Sequence, residues 1–303
     1  MSIQYQIVPY KKPWRWIGLG FSIFILFTVL QSVFFNDKWG WVVFRHCFFD
    51  PAILDGLLIT LKLTFSAMVL SFIFGGVVAM MRLSSSWLVK SLAWGYIWLF
   101  RSLPLLVVLI ILYNFSYLYE SISLSIPFTH ISYGHYKTVN VLDQFMTALI
   151  GLTIVQSAYT AEVIRGGIQA VDRGQVEASM ALGLSWWHRT TRIIFPQAIR
   201  SILPAIINEC INLSKGTAIV YVLAMPELFY TVQMIYNRNQ DVIPLLMVAA
   251  VWYTVITSIF SVAQYAIERK IQQTSKVSMF NFKPFVLFKR TPPIHSALIR
   301  EKS

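Results

Sequence analysis

The chain is short of charge, and shortest of acids. Of its 303 residues 13% are Asp, Glu, Lys or Arg, where an ordinary soluble domain carries about 25%. Thirteen acids stand against 25 bases, for a net charge of +12. Only two cysteines occur, Cys47 and Cys210. They fit neither a zinc spacing nor a redox CxxC pair, so no disulfide is expected. His46, His130, His135, His188 and His295 are scattered along the chain, and no metal site or hydrolytic constellation is expected. There is no GxxxxGK[ST] phosphate loop, which excludes ATP hydrolysis by that route. No small-residue cleavage pattern follows the first apolar run, 14–35, and that run is too long for a signal-peptide core; it reads as a retained span.

What is abundant is apolar. Hydrophobic residues make up 56% of the chain, and several runs approach the ~20 residues that cross a bilayer. The fold class expected is an all-α integral membrane protein with six spans, at 14–35, 53–81, 87–113, 145–168, 199–225 and 242–267. The second contains Gly75-Gly76, suited to close helix packing. The third is interrupted at Arg101-Ser102-Leu103-Pro104. The basic surplus flanks these spans, so membrane topology explains it better than nucleic-acid binding, which is not expected.

Lysine and arginine set the orientation. With the N-terminus in the cytoplasm, Lys11, Lys12, Arg15, Arg82, Lys90, Arg165, Arg173, Arg189, Arg192, Arg200 and the basic tail from Arg269 onward all lie inside. The outer loops keep Lys38, Arg45, Lys137 and Arg238. Both termini are therefore expected in the cytoplasm, and 116–141 is expected as an external loop. The run MFNFKPFVLFKR (279–290) suits either the membrane interface or a disordered tail.

One inside loop departs from the oily composition: EASMALGLSWWHRTTRIIFP, residues 177–196. Its first part is rich in good helix formers. Gly183 fits the left-handed position that ends a helix, and Ser185 can cap a second one. That helix should run through Trp186, Trp187 and Ile193 until Pro196 marks its join to the fifth span. A surface helix of small residues and one acid suits docking into a groove on another protein; an amphipathic loop lying on lipid is the alternative.

The spacing resembles the EAA loop of ABC importer permeases: Glu177-Ala178-Ser179, three residues, Gly183, nine residues, then Ile193-Ile194-Phe195-Pro196. Ser179 and Phe195 depart from that consensus mildly. SAYTAEVIRGGI (157–168), PQAIRSILPAIINECINLSKGTAIVYVLAMPEL (196–228) and FRSLPLLV (100–107) are similar to segments of polar amino-acid permeases in that family. The resemblance implies a type I importer permease core at 51–268, with the coupling loop at 170–198. It leaves outside the core an N-terminal tail, extra span and external loop (1–50) and a basic tail (269–303). It implies that Glu177, Ala178, Ser179, Gly183 and Pro196 couple the spans to an ATPase. The implied partners are a cytoplasmic ATP-binding subunit dimer, a periplasmic or tethered substrate-binding protein, a second permease subunit and membrane lipid. ATP and Mg would sit on the ATPase, with no cofactor on this chain.

Ionisable groups inside spans default to functional candidates. Arg101, beside Pro104, either lines a pathway or anchors the chain at the interface. Glu162 stands three residues before Arg165, the spacing of a helical ion pair. Asn208, Asn212 and Lys215 share one helical face that would line a path or join helices. Glu209, about 100° away on the wheel, would face a partner subunit instead. The function expected is translocation of polar amino acids, or relatives such as opines, by alternating access. The alternatives are a stand-alone ion-coupled secondary transporter, with midplane charges on broken helices and no docking loop, and a non-transporting scaffold or sensor.

Overall fold

The computed structural model describes residues 14–125 and 132–280. Among these, four helices are long and apolar enough to cross a membrane: α1 (Trp14–Phe35), α3 (Pro51–Arg82), α8 (Gln144–Gln169) and α13 (Val242–Phe280). Two bent pairs pass the same test together. The first is α4 (Trp87–Ser102) with α5 (Leu105–Tyr113), bent by 98°. The second joins Trp186–Leu223 to α12 (Leu228–Asn239), bent by 50°. Four of the six expected spans are thus single helices, and the count reaches six when each bent pair is taken as one span. Short helices fill the turns: α2 (Trp41–Cys47), α6 (Phe115–Leu118) and α7 (Thr138–Val141).

The chemistry of the breaks is local. Pro104 has φ −60° and ψ 132° and forms the N-cap of α5. Leu103 before it is extended, as a residue preceding proline should be. The fifth expected span, 199–225, is corrected at its far end. Helix α11 (Phe195–Gly216) passes into a 3-10 stretch, Thr217–Leu223. Ala224 then turns left-handed at φ 53°, and α12 starts afresh from Glu227. The expected external loop, 116–141, is corrected too. It holds a hairpin of β1 (Ser121–Ser125) and β2 (Ser132–Lys137), paired antiparallel with a bulge between Ser123 and Leu124. Most of the aromatic-basic run 279–290 lies outside the described residues, as does Pro127.

Helices α3 and α8 form the spine of the bundle. Leu63, Ala67 and Met68 share a buried cluster with Ala148 and Leu152, and Ala79 shares another with Ala161 and Ile164. The partners climb together along both helices, so the two run parallel. Gly75 permits the close approach. A Cβ there would stand 2.8 Å from the Ser157 carbonyl oxygen and 2.9 Å from Thr160 Cβ. Without a hydrophobic drive between helices in lipid, such backbone proximity is a main source of packing energy. Gly75→Val should therefore destabilise the purified chain by about 1–3 kcal/mol through overpacking. Gly76→Ala should be neutral, since its nearest neighbour would be Ile164 at 4.0 Å. Thermal melting in detergent checks the pair; equal melting of both variants would discard the close-approach account.

Helix α1 stands almost alone. Its large side chains are exposed all round, as suits a helix bathed in lipid. Its described ties are at the far end, where Phe34 stacks on Trp41 at 5.5 Å and the Trp41 indole N–H donates to the Val33 carbonyl at 3.2 Å. Both cysteines are free thiols. Burial pushes the Cys47 thiol up from its ordinary pKa, with Asp50 and Asp241 adding to the shift.

Candidate functional site: a docking loop and a charged groove

Two constellations stand out. The first is the loop between α8 and α11. Helix α9 (Arg173–Ala181) starts at Asp172, whose carboxylate accepts from the Gln175 N–H at 3.2 Å. It ends in a two-bond cap: the Gly183 N–H donates to Met180 O at 2.9 Å and the Leu184 N–H to Ser179 O at 3.2 Å. This is the Schellman arrangement, and it requires a residue at positive φ; Gly183 has φ 70°. Ser185 then caps the one-turn helix α10 (Trp186–Arg189), its hydroxyl accepting from the His188 N–H. A π-helical turn, Thr190–Ile194, leads into α11, where Pro196 sits in the first turn and needs no hydrogen bond of its own.

Helix, left-handed turn, cap and second helix thus stand as the residues predicted. Glu177, Ala178, Gly183 and Pro196 are exposed. Ser179 turns inward: it is 1% exposed, and its hydroxyl donates to Val176 O at 2.6 Å. The exposed surface has an apolar complement that motif spacing did not single out. Met180, Leu182, Trp186 and Trp187 are all more than half exposed. Trp186 and Trp187 lie against each other at 6.3 Å between ring centres, and large exposed apolar side chains of this kind suit an interaction surface.

The second constellation is a groove of about 500 Å³ at the α4–α5 break. Arg101, Ser102 and Pro104 come from the break, Gln156 and Tyr159 from α8, and Glu209 and Asn212 from α11. The Arg101 guanidinium lies 5.2 Å from the centre of the Tyr159 ring, a cation–π distance. Gln156, nearly buried, donates from Nε2 to Glu209 Oε2 at 2.9 Å. One wall thus offers a cation and another an acid, with amides between.

Of the face predicted on α11, Asn212 lines this groove, whereas Asn208 and Lys215 are exposed on the same helix and do not. Glu209, expected to face a partner subunit, lines this groove as well. At 100° per residue, Glu209 and Asn212 stand only 60° apart, and the Gln156 amide donates to the half-buried Glu209 carboxylate. The signal that could have found it was Gln156, a buried amide within the SAYTAEVIRGGI neighbourhood of α8.

A second, smaller groove of about 320 Å³ adjoins the first and shares Arg101 and Ser102 with it. Arg82, Trp94, Ile97, Trp98, Glu162 and Arg165 complete its lining. Glu162 and Arg165 form the predicted ion pair, with Nε to Oε1 at 3.0 Å and NH2 to Oε2 at 2.6 Å.

The chain matches known proteins over most of its length. Residues 67–273 match the family described as binding-protein-dependent transport system inner membrane component. The arginine transport system permease protein ArgU of Corynebacterium glutamicum is 37% identical over 274 residues, covering 88% of this chain and 83% of that protein. The glutamate/aspartate import permease protein GltK of Escherichia coli is 35% identical over 209 residues, covering 68% of this chain and 88% of that protein. Among solved structures, an amino acid ABC transporter crystallised with histidines is 36% identical and superposes with a TM-score of 0.62, over 73% of this chain and 94% of that one.

Proposed function

This chain belongs to the binding-protein-dependent transport system inner membrane components, and from that premise we propose that it carries polar amino acids, or relatives such as opines, through the Arg101–Glu209 groove. It is the multi-pass permease subunit of an ATP-binding-cassette importer; it is not itself an enzyme, and the ATPase is a separate subunit. Such permeases work with an ATPase, a substrate-binding protein and a second permease.

In the proposed assembly the ATPase subunits form a dimer in the cytoplasm and hold ATP and Mg. The binding protein is periplasmic or tethered, and the second permease is the same chain or a homologue. Both termini are cytoplasmic, since the Lys and Arg surplus lies on the side of the 173–196 loop and the tail. Residues 51–268 make the permease core. Helix α9 is the coupling helix: Glu177 and Ala178 face the ATPase, Gly183 sets the turn, Ser179 locks the helix from inside, and Pro196 starts α11. ATP closes the ATPase dimer, the loop moves with it, and the spans open outward to a loaded binding protein. Hydrolysis resets them.

The observation that carries this reading is the exposed α9 and its capped left-handed turn at the EAA spacing. The groove supports the substrate class. A zwitterion can set its carboxylate on Arg101 and its ammonium on Glu209. Asn212 adds hydrogen bonds in the same groove, while Asn208 and Lys215 extend the polar face of α11 beyond it.

The test is a tagged pull-down from gently solubilised membranes, followed by ATPase assay and uptake of labelled amino acids. An ATPase should come down with the wild-type chain. Uptake should require ATP and be competed by unlabelled polar amino acids. Uptake that follows an ion gradient, with no ATPase retained under any mild condition, would hand the function to the secondary-transporter reading.

A further inference from the structure

We propose that the smaller groove, lined by Arg82, Arg101 and Arg165, is a second carboxylate station on the inward side of the path; this rests on the amino-acid reading above. On α8, Gln156, Tyr159, Glu162 and Arg165 follow one another at three-residue steps, an oblique row that turns about 60° around the axis at each step. Each step advances about 4.5 Å along the axis, from 1.5 Å per residue. Gln156 and Tyr159 line the larger groove, and Glu162 and Arg165 line the smaller. Arg101 and Ser102 line both. A carboxylate held by Arg101 therefore stands at the edge of both grooves.

The second groove carries spare positive charge. Both oxygens of Glu162 are taken by Arg165, and the remaining Arg165 nitrogen donates to Gln169 Oε1 at 2.6 Å. That pair is internally neutral. Arg82, the last residue of α3, and Arg101 form no ion pair among the described residues. Two guanidinium groups thus face a space of about 320 Å³, near the lower end of small-ligand sites. Trp94 and Trp98, stacked at 15°, wall its other side. A guanidinium binds a carboxylate through two parallel hydrogen bonds. Basic pockets near a membrane surface also hold lipid phosphates. Continuity with the larger groove favours the transported carboxylate.

The experiment uses the whole transporter, with its ATPase and binding protein, in phosphatidylcholine vesicles. The probes are labelled L-arginine, L-glutamate, L-glutamine and L-histidine. For whichever is imported, Arg82→Gln should lower the maximal rate at least fivefold and leave external half-saturation within twofold. Arg101→Gln should raise half-saturation. Arg82→Lys, which keeps the charge, should retain at least half the wild-type rate. A wild-type rate in Arg82→Gln, a half-saturation shift in Arg82→Gln matching that of Arg101→Gln, or equal loss in Arg82→Lys would each overturn the proposal. So would a wild-type rate that depends on added phosphatidylglycerol, with the dependence abolished in Arg82→Gln, which would assign the groove to lipid phosphate. If wild type imports none of the four probes, the amino-acid reading fails first, and the second station falls with it.

Discussion

Replacing Gly183 by valine should uncouple transport from ATP while leaving the membrane bundle folded. Gly183 holds φ 70°, and a β-branched residue there is a true backbone outlier. A Cβ at this position would meet nothing within 4 Å, so the penalty is conformational rather than steric. For an L-residue it is roughly 1–2 kcal/mol, about five- to thirtyfold in the population of the native turn. The helix end would then pass to other conformers, and α9 would be re-aimed relative to α10 and α11. Uptake by the assembled transporter should fall by about that factor, with melting of the isolated chain little changed. Gly183→Ala, without the β-branch, should fall less. Glu177→Lys should reach a similar loss by another route, because it reverses an exposed charge and leaves the turn intact. Wild-type uptake in both Gly183→Val and Glu177→Lys would remove the loop from the coupling mechanism.

That loop was readable because its determinants are local. Helix formers, a glycine at the end and a serine cap each act within four residues, and each is found where the letters put it. The fate of Ser179 was less legible. Whether a small side chain in a surface helix points out or in depends on the π-helical turn packed against it, a tertiary matter. The π-turn itself left no mark in composition.

Elsewhere the same division holds. Span positions follow from apolar length, and the α4–α5 break follows from Pro104. The hairpin was missed although its first strand, Ser-Ile-Ser-Leu-Ser, alternates with the period of two that a strand requires; five residues within a polar loop were too few to stand out. Helix α12 was missed for a different reason. Its cap is Glu227, outside the Ser, Thr, Asp and Asn set that announces a helix start. The contact of Glu209 with Gln156 was not legible, because a wheel drawn for one helix carries nothing of another. Local chemistry is written in the sequence order; grooves made by three helices are not.

Glu227 should prove the most costly single side chain to remove. It is fully buried, and it gathers two backbone N–H groups of α12 and one hydroxyl each from α3 and α13. Its carboxylate accepts from the Phe229 N–H at 3.0 Å, the Tyr230 N–H at 2.7 Å, the Tyr253 hydroxyl at 3.0 Å and the Thr60 hydroxyl at 3.3 Å. Thr60 Oγ1 in turn accepts from the Leu228 N–H at 3.1 Å. The knot therefore ties α3 to α13 through the start of α12, just after the left-handed Ala224. Alanine would remove the helix cap, costing about 1 kcal/mol, and strand buried donors at about 1–3 kcal/mol each. A loss of several kcal/mol is a large part of the stability of a typical domain. Glu227→Ala should therefore accumulate poorly and melt well below wild type in detergent. Glu227→Gln, whose amide oxygen can still accept from the α12 N–H groups, should recover part of the loss. Tyr253→Phe should cost less than either, because it removes one donor and leaves the cap in place. If Glu227→Ala melts with wild type, the junction of α3, α12 and α13 is held by the apolar contacts of Ile53, Leu228 and Leu245 instead.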